Sequence, residues 1–198
     1  MAAMPTRKAA TVDEYLAPLP PDKRAALQWL RRHEAHVSRS DLLKRLDARW
    51  QELLASYAGL SEAELVEPGV TGTWSVKDIV AHVTVWEDEA LAHLPVVLAG
   101  KRPPRYSVTH GGINAFNLQM TQRNRSLALA EVMRLRDDTH RRLVEIVQGV
   151  PESECGSDTR FRRRLRLDTY GHYAVHTRAI RAWRERRSQE RARATPRG

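Results

Sequence analysis

The stretch Thr73-Trp74-Ser75-Val76-Lys77-Asp78-Ile79-Val80-Ala81-His82-Val83-Thr84-Val85-Trp86-Glu87 decides how the rest of the chain is read. Ser75 and Asp78 stand three residues apart, the spacing at which two side chains reciprocally satisfy free backbone N–H groups at a helix start. Val76, Ile79, Val80, Val83 and Trp86 then recur at intervals of three and four, as one face of a helix requires. Leu91 continues that face, and the helix is expected to reach about Leu98, bent at Pro95. Trp74, just ahead of the cap, has the position of a hydrophobic-staple residue. His82 lies about two turns in, on the side that also carries Asp78, Trp86 and Glu89.

Similar helices flank this one. Upstream, Leu42, Leu43, Leu46, Trp50, Leu53, Leu54 and Tyr57 keep the 3.6-residue period, with Ser38 or Ser40 as cap and a stop at Gly59. Residues 60–73 read as a connection. Downstream, residues 100–112 form a long loop with Pro103 and Pro104, and a polar helix follows from Ile113. Its Asn114, Asn117 and Gln122 are candidates for a pocket mouth. Ser126 is expected to cap a helix bearing Leu127, Val132, Leu135, Leu143, Ile146 and Val147. Residues 150–167 read as irregular, with Phe161, Leu165 and Leu167 pairing as a short strand. Asp168 then caps a last helix with Tyr170, Tyr173, Ala174, Ile180 and Trp183. Trp50, Trp86 and Trp183 are expected in the core.

Four long amphipathic helices, from about residues 40, 75, 126 and 168, imply an all-α four-helix bundle. Helical patterns at 11–16 and 21–36 add an extra N-terminal segment. The chain therefore divides into an N-terminal extension (1–39), a bundle (40–187) and a basic tail (188–198). Strands and helices do not alternate, and no Gly-rich nucleotide motif or nucleophile elbow occurs, which excludes those enzyme classes.

At 198 residues the chain has room for one ordinary domain, and 41% hydrophobic with 29% charged residues is globular composition. A single cysteine, Cys155, excludes an intrachain disulfide framework and any multi-cysteine metal site. The start of the chain has no apolar signal region, and no apolar run approaches the roughly 20 residues of a membrane span. A cytoplasmic protein without membrane contact is expected. The net charge of +9 is unevenly placed: residues 41–100 carry −6, and the excess lies after residue 100, above all in Arg160–Arg166 and beyond Arg178. No reading motif or interleaved aromatics accompany it, so a solvated basic surface is favoured over a nucleic-acid site.

Among eight histidines, His172 and His176 are four residues apart, which puts both on one helix face as a metal would need. Spacing alone reads equally as a polar stripe. His82 is the candidate third ligand. His140, among Asp137, Asp138, Arg141 and Arg142, reads as a solvated face.

The Thr73–Glu87 stretch resembles the second-helix signature of the DinB-like superfamily. The segment Gly171-His172-Tyr173-Ala174-Val175-His176-Thr177-Arg178-Ala179-Ile180-Arg181-Ala182-Trp183 resembles its His-x-x-x-His helix. That group includes YfiT-like metal-dependent hydrolases, thiol S-transferases, the metal-binding domain of maleylpyruvate isomerase and ClbS/DfsB-like proteins. The resemblance spans about residues 40–187. It implies up-down-down-up helix order and a triad of His82, His172 and His176 holding zinc, nickel or iron. The opening of the chain, around Thr11–Leu27, resembles YdhG-like domains.

Three neutral imidazoles leave a coordination position open, as catalytic sites do. Thiol transfer to, or hydrolysis of, a small electrophilic substrate is the chemistry implied, with a low-molecular-weight thiol as co-substrate in the first case. Asp78, Glu87 and Glu89 are candidates for orienting the ligands or acting as base, and Arg123, Arg178 and Arg181 for meeting an anionic substrate. Arg125 belongs with the last group. The alternative is a ClbS/DfsB-like protective protein that acts on or binds a reactive small molecule without the triad metal. A homodimer is allowed.

Overall fold

The computed structural model describes residues 37–156 and 159–194. The helical segments expected at 11–16 and 21–36 lie outside the described residues. Helix α1 (Arg39–Tyr57) starts at Ser38, whose Oγ accepts from Asp41 N at 3.0 Å, and buries Leu42, Leu46, Trp50, Leu53 and Tyr57. A short α2 (Glu62–Val66) follows under a reciprocal Ser61–Glu64 cap. Helix α3 (Val76–Leu98) opens as the sequence requires: Asp78 N donates to Ser75 Oγ at 3.1 Å and Ser75 N to Asp78 Oδ2 at 2.9 Å. Pro95 sits inside the last turn without ending it. The crossover carries α4 (Tyr106–Thr109) and α5 (Ile113–Asn124). Helix α6 (Leu129–Gly149) comes next, then a 3-10 turn (Glu152–Glu154), α7 (Arg160–Asp168) and α8 (Tyr170–Ala194).

Cross-helix pairs fix the directions. Lys77 Nζ donates to the Leu127 carbonyl at 3.0 Å, and ten residues on Glu87 meets His140, so α3 and α6 run parallel. Trp50 lies beside Tyr173 and Arg184 bonds the Ser56 carbonyl, so α1 and α8 run parallel. Trp50 stacks on His140 while Arg136 reaches the Tyr57 hydroxyl, which makes α1 and α6 antiparallel. His82 meets His176 while Glu87 meets Tyr173, which does the same for α3 and α8. The order is up-down-down-up. Leu42, Leu46, Ile79, Leu94, Leu143, Leu165 and Ile180 are completely buried at its centre.

Four local expectations are corrected. The short strand does not form: among the described residues the sole bridge is an isolated one between Thr71 and Trp74. Phe161 and Leu165 are four apart and both fully buried, so the helical period prevails, while Leu167 faces out at 65% exposure. Ser126 is not a cap. It sits in the turn where Leu127 N bonds the Asn124 carbonyl, and α6 begins after Ala128 without a side-chain cap. Asp168 does not cap the last helix; it ends α7 with its carboxylate buried against Arg164. Thr169, at φ −129° and ψ −107°, makes the break, and Tyr173 N bonds its carbonyl. Finally, α8 runs past residue 187 to Ala194, because Arg187 and Arg191 pair with Glu64 and Glu67 beside α2.

Candidate metal centre

The cap at Ser75 fixes the register of α3 and so the direction of His82. On the other side, α8 must start close enough to α7 to bring His172 and His176 inward. Gly171 allows this: a Cβ there would stand 2.7 Å from the Arg166 carbonyl oxygen, closer than real side chains come. His172 and His176 then project from successive turns of one face.

The three imidazoles converge through Nε2. His82 Nε2 lies 3.1 Å from His172 Nε2, and His176 Nε2 lies 2.9 Å from the same atom. Trp74 and Trp86 wall His82, with ring centroids 4.9 and 6.3 Å away, and Trp86 stands 5.8 Å from His172. Burial disfavours charge on all three. It is the main cause that holds His82 down to about 3, His172 to about 4 and His176 to about 3, and the neighbouring imidazoles add to it for His82 and His176. The set is thus neutral at ordinary pH, the form that ligates a metal.

The geometry suits a cation better than hydrogen bonding. A neutral imidazole has one N–H and one lone pair, so His172 Nε2 can share one proton with one neighbour but not with two. A tetrahedral ion about 2.05 Å from each nitrogen separates them by about 3.4 Å, up to about half an ångström wider than the two separations seen at His172. With Nε2 facing the ion, the proton of His172 sits on Nδ1. That atom is buried and makes no well-formed hydrogen bond, but it faces the Asp168 carbonyl closely enough to pull the ring's pKa up against burial. Among the described residues these three side chains are the one group of histidine, cysteine and carboxylate ligands that converges in this way.

The other predicted residues divide. Asp78 lines a recess that reaches His82 together with Ala81, Met120, Thr121 and Asn124; it leaves no room for a water molecule. The buried Thr121 hydroxyl in that recess has no hydrogen-bond partner. Asn117, from the same helix, accepts from Trp86 Nε1 at 3.1 Å, so α5 covers the triad. Asn114 and Gln122 are exposed. Arg123 lines a cavity of about 390 Å³ between α3, α5 and α6, which shares Ala81, Met120 and Asn124 with the recess. Arg178 and Arg181 are exposed on α8. Arg125 holds the Thr73 hydroxyl.

Glu87 and Glu89 enter networks of their own. Glu87 is fully buried and its Oε1 accepts from the Tyr173 hydroxyl and meets His140 Nδ1 at 2.8 Å. Burial pushes its carboxyl up, while His140 and Tyr173 pull it down. His140 is therefore not on a solvated face. It lies flat on Trp50, with centroids 3.7 Å apart and planes 3° from parallel. Its charged sequence neighbours hide this, because the partners, Trp50 and Glu87, come from two other helices. Glu89 accepts from the Tyr106 hydroxyl at 2.6 Å, and Arg164 joins that hydroxyl and His93 Nδ1 at 2.9 and 2.8 Å. Neither network contains a triad residue. No described helix is long and apolar enough to cross a membrane.

Comparison with known proteins places the fold. No curated protein matches the sequence. Two solved structures share the fold. One, titled Sibling Lethal Factor Precursor - DfsB, superposes with a TM-score of 0.62 at 17% identity, over 76% of this chain and 97% of its own. The other, the colibactin self-resistance protein ClbS in complex with a dsDNA, gives 0.61 at 16% identity, over 72% and 93%. That complex removes support for treating nucleic acid as a disfavoured partner of the fold. The sequence profile of the DinB superfamily matches residues 45–179, which contain His82, His172 and His176. The chain belongs to the DinB superfamily.

Proposed function

We propose that this protein is a metal-dependent enzyme that transfers a low-molecular-weight thiol to a small electrophile, or hydrolyses one, at the His82–His172–His176 site. The observation that carries this reading is the convergence of three neutral imidazoles, one buried and two partly buried, with ligand atoms within 4.8 Å of one another. A divalent zinc, nickel or iron ion held there would supply Lewis acidity and a position at which water or a thiol loses its proton readily. The chain's own residues set the surroundings. Trp74 and Trp86 pack against His82, and α5 is tied to Trp86 through Asn117. Of the three candidate carboxylates, Asp78 is the one that lines the recess at His82. Both of its bonds from Ser75 fall on Oδ2, which leaves Oδ1 as the atom that would take the proton once a substrate has opened the recess. In transfer, sulfur bonds to the electrophilic carbon and the leaving group departs with its electron pair. Arg123 borders the adjoining cavity and would meet an anionic portion of the substrate, with Arg178 and Arg181 further out.

The test is loss of free thiol in the presence of an alkylating electrophile, measured with zinc-loaded protein, chelated protein and His172→Ala. Turnover by the loaded protein alone supports the reading. Equal turnover by all three contradicts it. It would favour the second reading, a protective protein on the same fold that handles a reactive small molecule without metal. That second reading draws its support from the likeness to a self-resistance protein.

A further inference from the structure

The run Arg160–Arg166 takes no part in the triad, yet it is not a plain solvated coat. Arg162 is buried and Arg164 is half-buried. With the α3–α4 connection this helix borders a groove of about 610 Å³, which shares no lining residue with the recess at His82. Volumes of this size hold small molecules. Its apolar lining comes from Val97, Pro103, Tyr106 and two side chains that stand in water, Ile113 at 50% and Leu167 at 65% exposure. Its charged lining is four guanidiniums, from Arg105, Arg160, Arg163 and Arg164, with no carboxylate among the lining residues.

These arginines are prepared in two different ways. Arg160 is clamped, donating to the Gly100 carbonyl at 3.1 Å and to that of Lys101. Arg164 is held from below by Asp168, Tyr106 and His93, which fixes the floor of the groove. Arg105 and Arg163 have no hydrogen bond or ion pair from their side chains among the described residues. A positive groove with an apolar wall, two fixed guanidiniums and two spare ones is complementary to an anion with an apolar body. Guanidinium pairs bind phosphate and carboxylate oxygens in a forked geometry, and the exposed Leu167 and Ile113 would gain by being covered.

We infer that this groove is a second binding site, separate from the histidine triad, for a small amphipathic anion such as a phosphate monoester or sulfonate carrying an aliphatic or aromatic group. Arg105 and Arg163 grip the anion, and Leu167 and Ile113 cover the apolar part. The apolar wall favours a small molecule over a nucleic-acid backbone, which needs charge along an open track.

The full chain is titrated with anilinonaphthalene sulfonate, and the bound dye is then competed with octyl phosphate. One site per chain is expected, with displacement by octyl phosphate but not by octanol or inorganic phosphate at the same concentration. Arg163→Gln should weaken the dye about ten-fold, as expected for loss of one charge-assisted contact, and Arg105→Gln/Arg163→Gln further. Arg186→Gln and His172→Ala should bind like the parent. Both groove arginines are exposed, and unchanged thermal melting of the variants confirms that they fold. Parent-like affinity in the double variant overturns the proposal. So does loss of binding in His172→Ala, which would put the dye at the triad. Equal displacement by octanol would make the groove merely apolar, equal displacement by inorganic phosphate merely cationic, and displacement by a short duplex would assign it to nucleic acid.

Discussion

Replacing His176 with Gln should remove about 2 kcal/mol of the metal-free protein's acid sensitivity between about pH 7.5 and pH 5. In the folded chain, burial holds the three imidazoles at about 3, 4 and 3. Unfolded, each returns to the ordinary value near 6.5. The folded pKa is depressed, so the unfolded chain binds more protons below pH 6.5. The stability associated with neutral imidazoles is therefore complete above 6.5 and falls progressively toward pH 3–4. At pH 5 each imidazole is one and a half units below its unfolded pKa, about 2 kcal/mol, and the triad together about 6. Asp168 acts in the opposite sense. Burial raises it to about 7 against the pull of Arg164, so the folded state takes up a proton there as pH falls, and Glu87, also raised by burial, behaves alike. Both groups are common to parent and variant, so the difference between the two reports the loss of His176 together with the downward push it exerts on His82. Urea unfolding is followed by tryptophan fluorescence in chelator across the pH range. Parallel stability–pH curves for the two proteins would refute the claim that burial holds His176 neutral.

Two further substitutions probe the surroundings. Gly171→Ala forces a Cβ to within 2.7 Å of the Arg166 carbonyl; it should cost about 1–3 kcal/mol in urea unfolding and displace His172. Tyr173→Phe takes a hydroxyl from Glu87, whose Oε2 already has no partner, and should cost about 1–3 kcal/mol at neutral pH without lowering metal content.

Regular periodicity and capping chemistry made the bundle legible. The Ser75–Asp78 cap and the apolar stripe of α3 depend on residues within a few positions of one another, and both stand where the spacing put them. The triad was legible because His172 and His176 share a face, although His82 came from family resemblance as much as from pattern. What escaped was decided across helices. Asp168 has the look of a cap, but the charge of Arg164 four residues earlier draws it into the core at the end of α7. His140 sits among charged neighbours in sequence and against Trp50 and Glu87 in space. The arginine run hid a helix, because Phe161 and Leu165 are the fully buried residues that mark its period.

The most direct measurement is the metal content of tag-free protein after reconstitution with zinc and removal of the excess, alongside His172→Ala prepared in the same way. Convergence of three neutral Nε2 atoms predicts about one equivalent in the parent and its loss in the variant. Less than about a tenth of an equivalent in the parent, or equal content in both, would contradict the assignment of His82, His172 and His176 as a metal site.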